Sequence, residues 1–134
     1  MGTRTTGRFV YASATPQAVA AGGSPVFANA TVSNGCLENA GNGVIKINRP
    51  GLYRVAANFT MVGTAAGAVN VQLLHNGTPV PGAQGAATLA ANGYGSVSYE
   101  TLVTVRCCGG DSLQFEVDAA TSMTVAAAIV EKAA

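Results

Sequence analysis

Charge is scarce in this chain. Of its 134 residues only 10% are Asp, Glu, Lys or Arg, against about 25% in an ordinary soluble domain, and Gly, Ala, Ser, Thr and Asn stand where Lys and Glu are usual. The seven basic residues, Arg4, Arg8, Lys46, Arg49, Arg54, Arg106 and Lys132, are scattered singly and the net charge is +1. No stripe exists that could neutralise a run of phosphates, which argues against nucleic acid as a partner. No apolar run approaches the roughly 20 residues needed to cross a bilayer, so membrane insertion is not expected. The opening MGTRTTGRFVYAS also lacks the basic-then-apolar order of a signal peptide.

Catalytic chemistry is equally thin. The one histidine, His75, would have to anchor any His-centred triad, yet its place in a His75-Asn76-Gly77 turn already accounts for it as loop chemistry. Metal ligation by His75 with Cys36, Cys107 or Cys108 would need long-range convergence, because no Cys-x-x-Cys or His-x-His spacing occurs. The six carboxylates, Glu38, Glu100, Asp111, Glu116, Asp118 and Glu131, show no spacing that singles out a glycosidase pair. Glu116 and Asp118 alternate with Leu113, Phe115 and Val117 and read as a solvated strand face. Asp111 allows two readings: a turn residue bonding its own backbone, which is favoured, or a calcium ligand with neighbouring loop carbonyls. The glycine-rich stretches have no Gly-Lys-Ser/Thr after them and read as turns rather than a phosphate loop. No catalytic residue, metal ligand or cofactor is therefore assigned. The three cysteines, Cys36 and the adjacent Cys107 and Cys108, are an odd set, with free thiols the default and a vicinal bridge the strained alternative.

What the chain does have is apolar residues in a strand rhythm. Hydrophobic residues make up 49% and mean hydropathy is +0.31. On so weakly charged a surface that balance is easiest to explain if identical neighbours cover part of it, so an oligomer is expected. Period-two alternation recurs between Gly, Pro and Asn-Gly signals, and helical periodicity is weak. Strands are expected from Arg8 to Ala14, Pro25 to Val32 and Val44 to Asn48, with turns at Asn34-Gly35 and Gly41-Asn42-Gly43. In Leu52 to Met61, Tyr53, Val55, Ala57, Phe59 and Met61 share one face and Arg54, Asn58 and Thr60 the other. Val69, Val71 and Leu73 repeat the rule into the Asn76-Gly77 turn. Val97, Tyr99, Thr101, Val103 and Val105 follow, then Leu113, Phe115 and Val117, and last Met123, Val125, Ala127 and Ile129. The expected core thus holds Tyr53, Val55, Phe59, Val71, Leu73, Tyr99, Leu113, Phe115 and Val117, while Tyr94, between two glycines, is the candidate for an exposed contact. The Ala-rich pieces are too short and too interrupted for helices, although a helical last turn at Glu131 to Ala134 is left open. Eight or more short strands and no long helix select a sandwich or jelly roll over residues 1–134 as one domain.

Four pieces occur in an order that resembles the complement-globular-head and tumour-necrosis-factor-like jelly-roll family, in its bacterial and bacteriophage branch. They are Gly51-Leu52-Tyr53-Arg54-Val55, Val71-Gln72-Leu73-Leu74-His75-Asn76-Gly77, Gly110-Asp111-Ser112-Leu113-Gln114-Phe115 and the terminal Val125 to Lys132. The resemblance implies an all-β, ten-stranded jelly-roll sandwich and a compact homotrimer around a threefold axis. Apolar residues on second strand faces fit such an assembly: Leu52 and Ala56 oppose the Tyr53 face, and Leu74 opposes the Val71 face. Three functions are expected in order: a non-enzymatic phage virion component that decorates a capsid, forms a head fibre or touches the host from a tail; the head domain of a bacterial collagen-like surface or spore-coat protein; and a carbohydrate-binding module. The partners implied are other copies of the chain, then capsid or tail proteins, a host-surface receptor or a glycan.

Overall fold

The computed structural model describes residues 5–32, 36–106 and 110–133. Asn34-Gly35 and the Cys107-Cys108 pair lie outside the described residues. Among those described, the alternating segments form ten strands: β1 (Thr6–Val19), β2 (Asn29–Val32), β3 (Leu37–Gly41), β4 (Val44–Ile47), β5 (Gly51–Gly63), β6 (Gly67–His75), β7 (Thr78–Leu89), β8 (Tyr94–Val105), β9 (Asp111–Val117) and β10 (Thr121–Lys132). They build two five-stranded sheets, β2-β1-β10-β5-β8 and β3-β4-β9-β6-β7. This is the all-β, ten-stranded jelly-roll sandwich that the alternation and the resemblance together imply.

The core lies where the two inner faces meet. Tyr53, Val55, Ala57, Phe59 and Met61 of β5 are all buried, as are Val71 and Leu73 of β6 and Leu113, Phe115 and Val117 of β9. Aromatic rings stitch the layers together: Phe59 of the first sheet meets Phe115 of the second at 5.1 Å between centroids, edge to face. Phe27 continues the cluster from Phe115 to Phe9 at 6.2 and 6.3 Å. Such pairs add to the burial of their area. The Tyr53 hydroxyl donates to the Arg49 carbonyl at 2.8 Å, so the polar end of this buried ring is satisfied. Asn76 and Gly77 both have positive φ, 52° and 81°, the geometry of the tight hairpin turn that Asn-Gly favours.

Several expectations need correction. The second strand begins at Asn29, not Pro25; Pro25 has no N–H to pair, and the Gln17 side chain bonds both the N–H and the carbonyl of Val26 at 2.9 Å, standing in for a strand partner. The first strand runs from Thr6 to Val19, beyond Arg8 to Ala14, because it pairs with β10 on both sides of an irregularity. No helical turn forms at Glu131: β10 stays extended to Lys132, whose N–H reaches the Thr5 carbonyl at 2.8 Å. Asp118 lies past the end of β9, and its carboxylate accepts the Asn70 N–H at 2.8 Å instead of standing on a solvated strand face. The last strand also changes parity. Met123 pairs with Met61 but Val125 with Thr60, so Thr124 is a bulge. After it Ala126, Ala128 and Val130 point inward, while Val125, Ala127 and Ile129 leave the core.

Candidate functional site

Two surface features stand out, and both depend on which strands end a sheet. The first is the outward face of the β2-β1-β10-β5-β8 sheet. Alternation along β5, β8 and the bulged β10 sends Ala56, Asn58, Ala127, Ile129 and Leu102 to this side, and Tyr94 opens β8 on it. Of the five large apolar residues exposed among those described, three point to this side: Tyr94 (72% exposed), Leu102 (55%) and Ile129 (44%). Between them the small side chain of Ala56 leaves two shallow hollows. One, about 290 Å³, is bounded by Ser98 and Glu100; the other, about 210 Å³, by Asn58, Ala127 and Ile129.

Of the charges on this face, Arg54, Glu131 and Glu100 pair with one another, while Arg8 of β1, opposite Ile129, is exposed and makes no ion pair among the described residues. Arg54 of β5 donates through Nε to Glu131 of β10 at 2.8 Å and through Nη1 to Glu100 of β8 at 2.6 Å. The hydrogen bond to Glu131 and then that to Glu100 raise the Arg54 pKa. A guanidinium forking between two carboxylates fixes three neighbouring strands in register. The two carboxylates lie 77 and 46 positions from Arg54 in sequence, so spacing carries no sign of the cluster.

The second feature is a cleft of about 300 Å³ at the sandwich edge, where the start of β7 faces the end of β8. His75, Thr78 and Pro79 form one side, and Leu102, Thr104 and Arg106 the other. His75 is the last residue of β6 rather than a loop residue, and its Nε2 lies 2.6 Å from Oδ2 of Asp111 at the start of β9. Asp111 thus engages one carboxylate oxygen with His75, and no group of three or more metal-binding side chains occurs among the described residues. Next to the pair, Asn76 bonds the Ser112 backbone twice, its N–H donating to the carbonyl at 2.9 Å and its Oδ1 accepting from the N–H at 2.8 Å, which ties the hairpin to β9.

The expected core residues lie between the sheets, and of them only Tyr99 also borders one of the hollows. Tyr99 points inward against Phe59 and Phe115, with its hydroxyl buried and without a partner among the described residues. Burial raises its pKa. Tyr94 is exposed, as its flanking glycines suggest, but as the first residue of a strand rather than in a loop.

No protein-family model matches the chain, and no curated protein matches it in sequence. Solved structures do. The globular domain of zebrafish complement 1qA superposes with a TM-score of 0.73 at 13% identity, covering 98% of both chains. Eiger TNF from S. frugiperda gives 0.75 at 12%, covering 99% of this chain and 94% of that one. Murine APRIL gives 0.70 at 11%, covering 97% and 99%. The fold is the complement-globular-head and tumour-necrosis-factor-like jelly roll. At these identities the likeness is one of fold, and what this jelly roll does has to come from its own surface.

Proposed function

We propose that this chain is a non-enzymatic, homotrimeric structural or adhesive protein, assembled through the outward face of the β2-β1-β10-β5-β8 sheet, and that its setting is a phage virion, as a capsid decoration, head fibre or host-contact protein. The observation that carries the assembly is the exposure of Tyr94 and Ile129 on one face, with Val125 and Ala127 turned outward beside Ile129. Large apolar side chains beside Ala-floored hollows offer both halves of a packed contact, and the Arg54, Glu100 and Glu131 cluster brings its own partners into any buried surface, which limits the cost of covering it. For the virion setting the support is the weakly charged surface, suited to close packing with other subunits.

Light scattering on a sizing column tests the assembly. A mass near three times 13.3 kDa that persists on dilution supports the trimer, and a monomer refutes it. Absence of affinity between a purified trimer and the particles of its source phage would refute the virion setting while leaving the trimer standing.

A further inference from the structure

We propose that the cleft between the start of β7 and the end of β8 binds a sugar acid, a hydroxylated carboxylate of monosaccharide size. Its volume of about 300 Å³ lies at the small end of ligand pockets. Both bordering strands end their sheets, so no further strand of either sheet roofs the mouth.

The lining sets the chemistry. Arg106 is exposed and makes no ion pair among the described residues, and its planar fork suits a carboxylate better than any other single group does. His75 supplies the opposite polarity. Nε2 is engaged with Asp111, and this leaves Nδ1 as the ring nitrogen that can bond a ligand hydroxyl. The hydroxyls of Thr78 and Thr104 both donate and accept, and Pro79 with the exposed Leu102 gives an apolar wall for the C–H face of a sugar ring. A simple fatty acid would leave His75 and the threonines unused. A neutral sugar would leave Arg106 unused, and no Phe, Tyr or Trp lines the cleft to hold it by stacking. The bonds of His75 to Asp111 and of Asn76 to Ser112 hold one wall before any ligand arrives, so little ordering is required on binding.

The test is a ¹H–¹⁵N NMR titration of the full chain with glucuronate, with glucose and with butyrate at equal concentrations. Glucuronate is expected to shift the amides of Thr78, Val80 and the Leu102 to Arg106 strand end. Glucose lacks the charge and butyrate the hydroxyls, and each should bind at least about tenfold more weakly. Arg106→Gln, at an exposed position, should weaken glucuronate by about the same factor with the rest of the spectrum unchanged. Equal binding of glucose or butyrate, shifts located elsewhere, or wild-type affinity in Arg106→Gln would each overturn the proposal. The site does not rest on the trimer: a monomer that binds glucuronate sinks the assembly and keeps the site, and a trimer that ignores it does the reverse.

Discussion

Removing the Tyr99 hydroxyl should make the protein more stable. The ring is packed against Phe59 and Phe115 at 6.4 and 6.3 Å, contacts that Phe at this position would retain. The hydroxyl is buried with no hydrogen-bond partner among the described residues, and an unsatisfied buried polar group costs about 1–3 kcal/mol. Against this, deleting one oxygen forfeits roughly a few tenths of a kcal/mol of dispersion contact. Tyr99→Phe is therefore expected to gain about 1–2 kcal/mol. For a chain of this length, at about 2.1 cal/mol/K of unfolding entropy per residue, that is a rise of roughly 4–7 °C in Tm. Calorimetry at matched protein concentration is the assay, because assembly makes Tm concentration-dependent. The pH profile gives a second readout. Burial raises the phenol above its ordinary 10.0, so the folded state holds this proton more tightly than the unfolded one. The associated stability is complete below about pH 10 and is lost as pH climbs above it. Tyr99→Phe should remove that share of the alkaline loss and leave the share from Tyr53, which burial also raises. A Tm lowered by several degrees would refute the reasoning and show that the hydroxyl has a partner, such as an ordered water.

Two further substitutions probe other links. A Cβ at Gly85 of β7 would stand 2.4 Å from Cγ1 of Val97 on β8, and valine has little freedom to turn aside; Gly85→Ala should cost about 1–3 kcal/mol, read as a lower urea midpoint, and an unchanged midpoint would mean that these edges part freely. Ile129 keeps 44% of its surface exposed. Covering that exposed part is worth about 1 kcal/mol per copy, or about 3 per trimer, so Ile129→Asp should weaken assembly by at least about a hundredfold; light scattering on a dilution series would show monomer, and a trimer of unchanged affinity would exclude this face.

Most of the fold is legible in the sequence because strand alternation is a local signal. β5 reads correctly from Leu52 to Met61, since every second residue from Tyr53 to Met61 is apolar and buried, and Asn76-Gly77 announces its own turn. The misreadings occur where something non-local replaces a local rule. Pro25 to Ala28 looks like strand, but the side chain of Gln17 takes over at Val26 the pairing that a neighbouring backbone would provide. The candidate sites are less legible still. His75 and Asp111 are 36 residues apart, and only the pairing of β6 with β9 brings them together. Arg54, Glu100 and Glu131 likewise meet because β5 lies between β8 and β10. Composition does carry one piece of the site. Scarce charge implies a covered face without saying which, and the patterns around Ala56 and Tyr94 mark each as outward or exposed without connecting the two.

The face itself follows from the one residue that alternation cannot count. Had β10 run without a bulge, Ile129 would share the inward parity of Met123 and Val130 would face out. Thr124 has no partner of its own across from β5, since Met123 opposes Met61 and Val125 opposes Thr60. A bulge gives up a ladder position and bends the strand, and here the result is that Val125, Ala127 and Ile129 all turn away from the core. On a chain with so few charges, three outward apolar side chains in a central strand beside the Ala56 hollows are hard to reconcile with a surface left bare to water. A neighbour that buries them accounts for the bulge and for the scarcity of charge together.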